Sequence, residues 1–121
     1  MRSPRQLERE IAEAEQRSRL RARIQRLLDK WVPKLGVNVA DWNIRTMKTY
    51  WASVNEGAGK ITFNSKLAEM SPRFLESTVV HELVHMLTHG HDARFYALMD
   101  QHVPGWRRLH DRYSAPLKLH S

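Results

Sequence analysis

The sequence contains no cysteine among its 121 residues, and it has only five glycines and five prolines. Without cysteine there is no disulfide framework, no thiolate nucleophile and no cysteine-based zinc knuckle, so any chemistry must come from histidines, carboxylates, hydroxyls or a bound metal. No apolar run approaches the roughly 20 residues of a membrane span, and the charged first 30 residues hold no apolar stretch of signal-peptide length. We therefore expect a soluble, unexported, cytoplasmic protein with no membrane partner.

Basic residues are unevenly distributed along the chain. The net charge is +7, and residues 1–34 hold 10 of the 20 Lys and Arg residues but only 5 of the 13 Asp and Glu residues. Such a charge favours nucleic acid, anionic lipid or acidic substrates, but it says nothing about the fold. The length fits one domain, and we divide the chain into a basic helical arm or extension at residues 1–22 and a folded domain at residues 23–121.

A long helix is expected at the N-terminus. Ser3 followed by Pro4 is typical of a helix start, and no glycine or further proline interrupts the chain through about Trp31. Pro33–Gly36 should end this helix. Its second half has an apolar stripe that predicts packing against the domain, formed by Leu20, Ile24, Leu27, Leu28 and Trp31.

The middle of the chain predicts strands, and the rest predicts helices. Residues 42–47, 50–54 and 61–64 have the alternation of β-strands, and residues 55–59 form a turn. We therefore expect a small antiparallel sheet. Three further helices are expected, from Ser71-Pro72 to about Thr88, from Ala93 to His102 and from Pro104 to Tyr113. The fold class is α+β, with a long N-terminal helix, a small antiparallel sheet, one central helix and two C-terminal helices.

The central helix carries the most informative motif, His81-Glu82-Leu83-Val84-His85. Positions four apart share one helix face, so both imidazoles can reach one ion at the roughly 2.0–2.1 Å of a zinc–nitrogen bond. Glu82 lies about 100° around the helix from His81, where it can take a proton from metal-bound water. The apolar residues fall on a separate, core-facing side of the helix, namely Leu75, Val79, Leu83, Met86 and Leu87.

A third metal ligand is expected beyond the helix, because a catalytic zinc usually has three protein ligands and one open position. His91 is the favoured candidate, since it follows Gly90, where the backbone can reverse and return a side chain over the helix end. His89 is the alternative, but three histidines in a row along one straight helix make a poor tetrahedral set.

Several segments resemble the YgjP-like metallopeptidase domain family of small zincins, which is related to the WLM and SprT groups. The resemblance spans about Leu27 to Tyr113 and leaves out the N-terminal arm. The segments that carry it are Met47–Ser53, Gly59–Asn64, Val79–His85, His91, Arg94–Tyr96 and Pro104–Trp106.

This resemblance implies a zincin-like core at residues 23–121 and one Zn²⁺ ion. The ligands that it implies are His81, His85 and His91, with Glu82 as the general base. The sequence departs from the usual family pattern at Tyr50, where the family has a basic residue, and at residues 52–54, where Ala-Ser-Val replaces Gly-Ser-Cys. If these positions shape the substrate groove, the specificity or the strength of the activity differs.

Three hypotheses for the function follow. The first is a zinc-dependent metallopeptidase that acts on peptides or proteins through a metal-activated water. The second keeps the site but hydrolyses a phosphate ester or a nucleotide, with Arg45, Lys48 and Lys60 contacting the anion. The third is a nucleic-acid-binding module with structural zinc, whose arm contacts phosphates.

Other polar residues are candidates for supporting roles. The candidate donors to an oxyanion are Tyr50, His102, His110 and Tyr113. The candidate acceptors for the second nitrogen of each metal-binding imidazole are Asn64, Glu76 and Asp100. Trp51 either lines the site or belongs to the core.

Overall fold

A long helix precedes a small sheet, and three shorter helices follow it. The computed structural model describes residues 1–88, 90–113 and 117–118, so His89 lies outside the described residues. The elements are α1 (Pro4–Leu35), β1 (Asp41–Arg45), β2 (Ala52–Asn55), β3 (Lys60–Asn64), a 3₁₀ helix (Ser65–Glu69), α2 (Pro72–His85), α3 (Ala93–His102) and α4 (Trp106–Tyr113). The α+β class is therefore confirmed.

Helix α1 consists of an exposed half and a docked half. Ser3 caps its start by accepting a hydrogen bond from the backbone of Gln6, and residues 1–19 are exposed apart from half-buried Gln16. The predicted stripe from Leu20 onwards faces the core, although Leu27 is only partly buried. The helix ends at Leu35, with Gly36 as its C-cap at a φ of 70°, which is within the predicted end at Pro33–Gly36. None of the described helices is both long and apolar enough to span a membrane.

The sheet is mixed, with strand order β1-β3-β2. The hairpin prediction is confirmed, because β2 and β3 are antiparallel neighbours joined by the turn at residues 56–59. The prediction of an antiparallel sheet throughout is wrong for β1, which runs parallel to β3 from Asp41 opposite Lys60 to Arg45 opposite Asn64. Side chains alternate with the same period in both kinds of pairing, so the sequence pattern could not distinguish them.

Helix α2 lies at the centre of the fold. It packs against α1, β2, α3 and α4, and every residue from Ser77 to His85 is buried. The polar face that the sequence predicted is therefore inside the protein, covered by α3 and α4. The helix ends at His85, earlier than the expected Thr88, and α4 begins at Trp106 rather than at Pro104.

Candidate metal centre

Three imidazoles meet at the C-terminal end of α2. One ring nitrogen from each of His81, His85 and His91 lies within 4.8 Å of the other two, and the Nε2 atoms of His85 and His91 are 3.0 Å apart. His81 and His85 are 1% and 2% exposed, whereas His91 is exposed. The cluster is thus closed on the core side and open to solvent at His91.

The turn after α2 brings His91 back to the helix. Gly90 has a φ of 78°, a conformation that favours glycine. The hydroxyl of Thr88 lies within hydrogen-bonding distance of the carbonyls of Val84 (3.3 Å) and Gly90 (3.2 Å), which ties the turn to the last turn of the helix. Asp92 then caps the start of α3. The reversal expected at Gly90 is therefore what the structure contains.

The donor set fits a divalent metal ion. Two nitrogens bound at about 2.0–2.1 Å to one tetrahedral ion are roughly 3.3 Å apart, close to the 3.0 Å between His85 and His91. Three neutral imidazoles are common ligands of zinc and leave a fourth position for water. Because two of the rings are held in the packed interior, the site is largely formed by the fold itself.

Glu82 lies at the same end of α2. Its side chain has no exposed surface, and its Oε1 atom is 3.4 Å from Nδ1 of His81. Burying a carboxylate is costly without polar neighbours, and the imidazole of His81 is such a neighbour. The carboxylate is close enough to the cluster to act on a molecule held there.

Aromatic rings surround the cluster on the side of α3 and α4. The ring centroid of Phe95 lies 4.6–5.0 Å from the centroids of all three imidazole rings. The ring centroid of Trp106 lies 6.4 Å from that of His81. The helix patterns alone predict neither of these contacts. Their segments, Arg94–Tyr96 and Pro104–Trp106, were nevertheless part of the family resemblance, and that was the available signal.

Of the four candidate oxyanion donors, the structure brings His110 to the cluster. Its ring lies 6.4 Å from that of His81. Burial lowers the pKa of His110; the charge of Asp111 acts in the opposite direction, and His91 adds to the lowering.

The other three candidate donors make different contacts. The ring of His102 packs edge-on against Trp31, and the ring of Tyr113 packs against Phe74. The backbone of Tyr50 bridges to Lys118.

The carboxylate of Glu76 links α2 to α1 through hydrogen bonds, instead of accepting one from a histidine of the cluster. Its carboxylate accepts hydrogen bonds from Nζ of Lys30 (2.9 Å) and Nε1 of Trp31 (2.8 Å). Burial acts to raise the pKa of Glu76, but the hydrogen bonds from Lys30 and Trp31 and the charges of Lys30 and Arg73 outweigh it, so the pKa lies below its ordinary value.

The remaining candidates also have structural contacts. The side-chain amide of Asn64 donates to the carbonyls of Met47 and Tyr50 and so holds the loop before β2. Asp100 accepts a 2.9 Å hydrogen bond from Nε1 of Trp106. Trp51 is 6% exposed and packs against Phe74, which indicates the core role rather than the site-lining one.

Comparison with known proteins agrees with this architecture. The crystal structure of the metallopeptidase zymogen of Pyrococcus abyssi abylysin is similar to this chain, with a TM-score of 0.68 and 24% sequence identity over 78% of this chain and 94% of that one. At this identity the likeness establishes the fold, a zincin-like α+β fold. No curated protein has a significant match to the sequence.

The family follows from the sequence as a whole. The model of the YgjP-like metallopeptidase domain matches residues 2–114, and the chain therefore belongs to the YgjP-like metallopeptidase family. Since the match begins at residue 2, it includes the N-terminal arm that the resemblance noted above had left out. Membership of this metallopeptidase family implies a divalent metal ion and peptide or protein substrates.

Proposed function

We propose that the protein is a zinc-dependent peptidase in which His81, His85 and His91 hold Zn²⁺ and Glu82 is the general base. The observation that carries the proposal is the convergence of three imidazoles within 4.8 Å beside the buried carboxylate of Glu82. When bound, the ion would supply a polarised water and a positive charge next to the substrate carbonyl.

The residues of the chain then carry out the proton transfers. Glu82 takes a proton from the attacking water and passes it to the amine that leaves when the peptide C–N bond breaks. Its position in the dry core strengthens its electrostatic interaction with the reacting groups. His110 is the best placed of the candidate oxyanion donors, because its ring lies 6.4 Å from that of His81.

An extended substrate can pair with the sheet. Strand β2 packs against α2. Within the described residues, β2 itself pairs with β3 alone, and Lys118 pairs with residues 49–51 just before it. The backbone groups of an unpaired strand edge can hold an extended peptide through main-chain hydrogen bonds. This feature favours a peptide over other substrates.

The phosphate-ester hypothesis has less support from the geometry. Arg45 and Lys60 lie at opposite ends of the β1–β3 ladder, roughly 13 Å apart at about 3.3 Å per strand residue. The strands therefore do not place these two residues side by side, as a preformed phosphate site on this ladder would require. Binding of nucleic acid through the arm stays a prediction.

The test combines metal analysis with peptide cleavage. Wild type and Glu82→Gln should each bind about one zinc ion per chain, but only wild type should cleave a mixed peptide library, because losing a general base costs roughly 10²- to 10⁴-fold in rate. His85→Ala should lose the metal as well. A matched control is Glu69→Gln, which neutralises an exposed carboxylate outside the site. Undiminished cleavage by Glu82→Gln, or a chain that does not bind zinc at neutral pH, would contradict the proposal.

A further inference from the structure

Beside the three histidines, α3 and α4 contribute a row of stacked rings. The ring of Trp106 is stacked on that of Tyr96, with centroids 6.2 Å apart, and on that of His110, with centroids 6.3 Å apart. The hydrogen bond from Trp106 to Asp100 fixes the plane of the middle ring. We name these three rings, Tyr96, Trp106 and His110, the aromatic wall.

The aromatic wall is in contact with the candidate metal centre. The ring of Tyr96 lies 6.3 Å from that of His91, and the rings of Trp106 and His110 each lie 6.4 Å from that of His81. His91 is exposed and Tyr96 is 38% exposed, so both stand on the side from which a substrate reaches the cluster. We therefore expect a peptide bound at the histidine cluster to lie alongside the aromatic wall.

A cavity of about 430 Å³, wide open to solvent, lies against the wall and is also lined by Arg107 and Asp111. Its volume falls within the roughly 300–1,000 Å³ of ordinary ligand sites. The guanidinium of Arg107 already lies 5.1 Å from the ring centroid of Tyr96 and 3.3 Å from the carboxylate of Asp100. Asp111 carries the opposite charge, so these two exposed residues leave no net charge at the cavity.

We propose that this cavity receives an aromatic side chain of the peptide substrate, next to the bond that is cleaved. The inference rests on the proposed peptidase function. A planar ring can pack offset or edge-on against the aromatic wall. Because Arg107 and Asp111 leave no net charge, neither a basic nor an acidic side chain gains a net attraction there, and an aliphatic side chain lacks the ring–ring contact. We expect a preference for phenylalanine over leucine of roughly 2- to 10-fold.

The experiment measures this preference in two independent ways. Cleavage of a mixed peptide library by the zinc-loaded wild type gives the ratio of cuts beside phenylalanine and beside leucine. Calorimetry on zinc-loaded Glu82→Gln gives the affinities of acetyl-Ala-Phe-Ala-amide and acetyl-Ala-Leu-Ala-amide. Adding Tyr96→Leu to each protein should bring both ratios close to one without changing the zinc content, since Tyr96 is partly exposed. Tyr96→Phe should keep both ratios.

Tyr113→Leu is the matched control, because the ring of Tyr113 packs against Phe74 and its loss should leave the ratios unchanged. If wild type cleaves peptides without favouring phenylalanine, the cavity assignment is overturned while the peptidase function stands. If nothing is cleaved but the phenylalanine peptide binds better in a manner that depends on Tyr96, the peptidase function fails, the binding of an aromatic side chain in the cavity stands, and its place beside a cleaved bond is overturned. Ratios in Tyr96→Leu equal to those of wild type would also overturn the assignment.

Discussion

The two ends of α2 differ in what their side chains contact. At the N-terminal end, Phe74 packs between Trp51 and Tyr113, and Glu76 is bonded to α1. At the C-terminal end, the buried polar side chains His81, Glu82 and His85 lie close to one another. Burying polar groups costs free energy unless they are satisfied. One end of the helix therefore supplies stability, while the other end holds polar groups in the core at a cost in free energy.

The largest effect is expected at the stabilising end. Phe74→Ala should lower the free energy of unfolding by about 3–5 kcal/mol, because it removes a large side chain that is 1% exposed and leaves a cavity. Phe74→Leu should cost less, about 1.5 kcal/mol or below. Urea denaturation measures both values. A loss under about 1 kcal/mol for Phe74→Ala would show that this end is not the main anchor.

A smaller effect is expected at the histidine end when metal is removed. At a zinc concentration about 100-fold above Kd, binding stabilises the folded state by about 2.7 kcal/mol, and a chelator should remove this contribution. Hydrogen exchange should then increase around residues 80–88 more than around residues 72–78. His85→Ala should unfold at the same urea concentration with or without the chelator. An equal response of His85→Ala and wild type would place the stabilising metal elsewhere.

Much of the helical structure could be predicted because local chemistry determines it. Ser3 begins the first helix as predicted, and α3 begins at the predicted Ala93, capped by Asp92. Helix geometry alone brings His81 and His85 together. The return of His91 to the end of α2 could be predicted because Gly90 precedes it. The roles of these histidines and of Glu82 remain proposals.

What the sequence could not provide depends on packing between distant segments. The parallel pairing of β1 with β3 depends on which strand lies in the middle of the sheet, and alternation does not contain this information. The aromatic wall depends on how α3 and α4 lie against each other, which the individual helix patterns of Tyr96 and Trp106 do not determine.

The smallest effect is expected from the contact that fastens the stabilising end to α1. Glu76→Gln should lower the free energy of unfolding by about 1 kcal/mol or less at neutral pH, because a charged acceptor of two hydrogen bonds becomes neutral. The pKa of Glu76 in the folded protein lies below the ordinary value of 4.5, so this contribution is present above pH 4.5 and is lost as the pH falls through the lower, folded-state pKa. The difference between wild type and variant should therefore shrink in acid, as urea titrations at neutral pH and below pH 4 can measure. A difference that stays constant over this range would mean that the charge of Glu76 contributes nothing to holding α2 against α1.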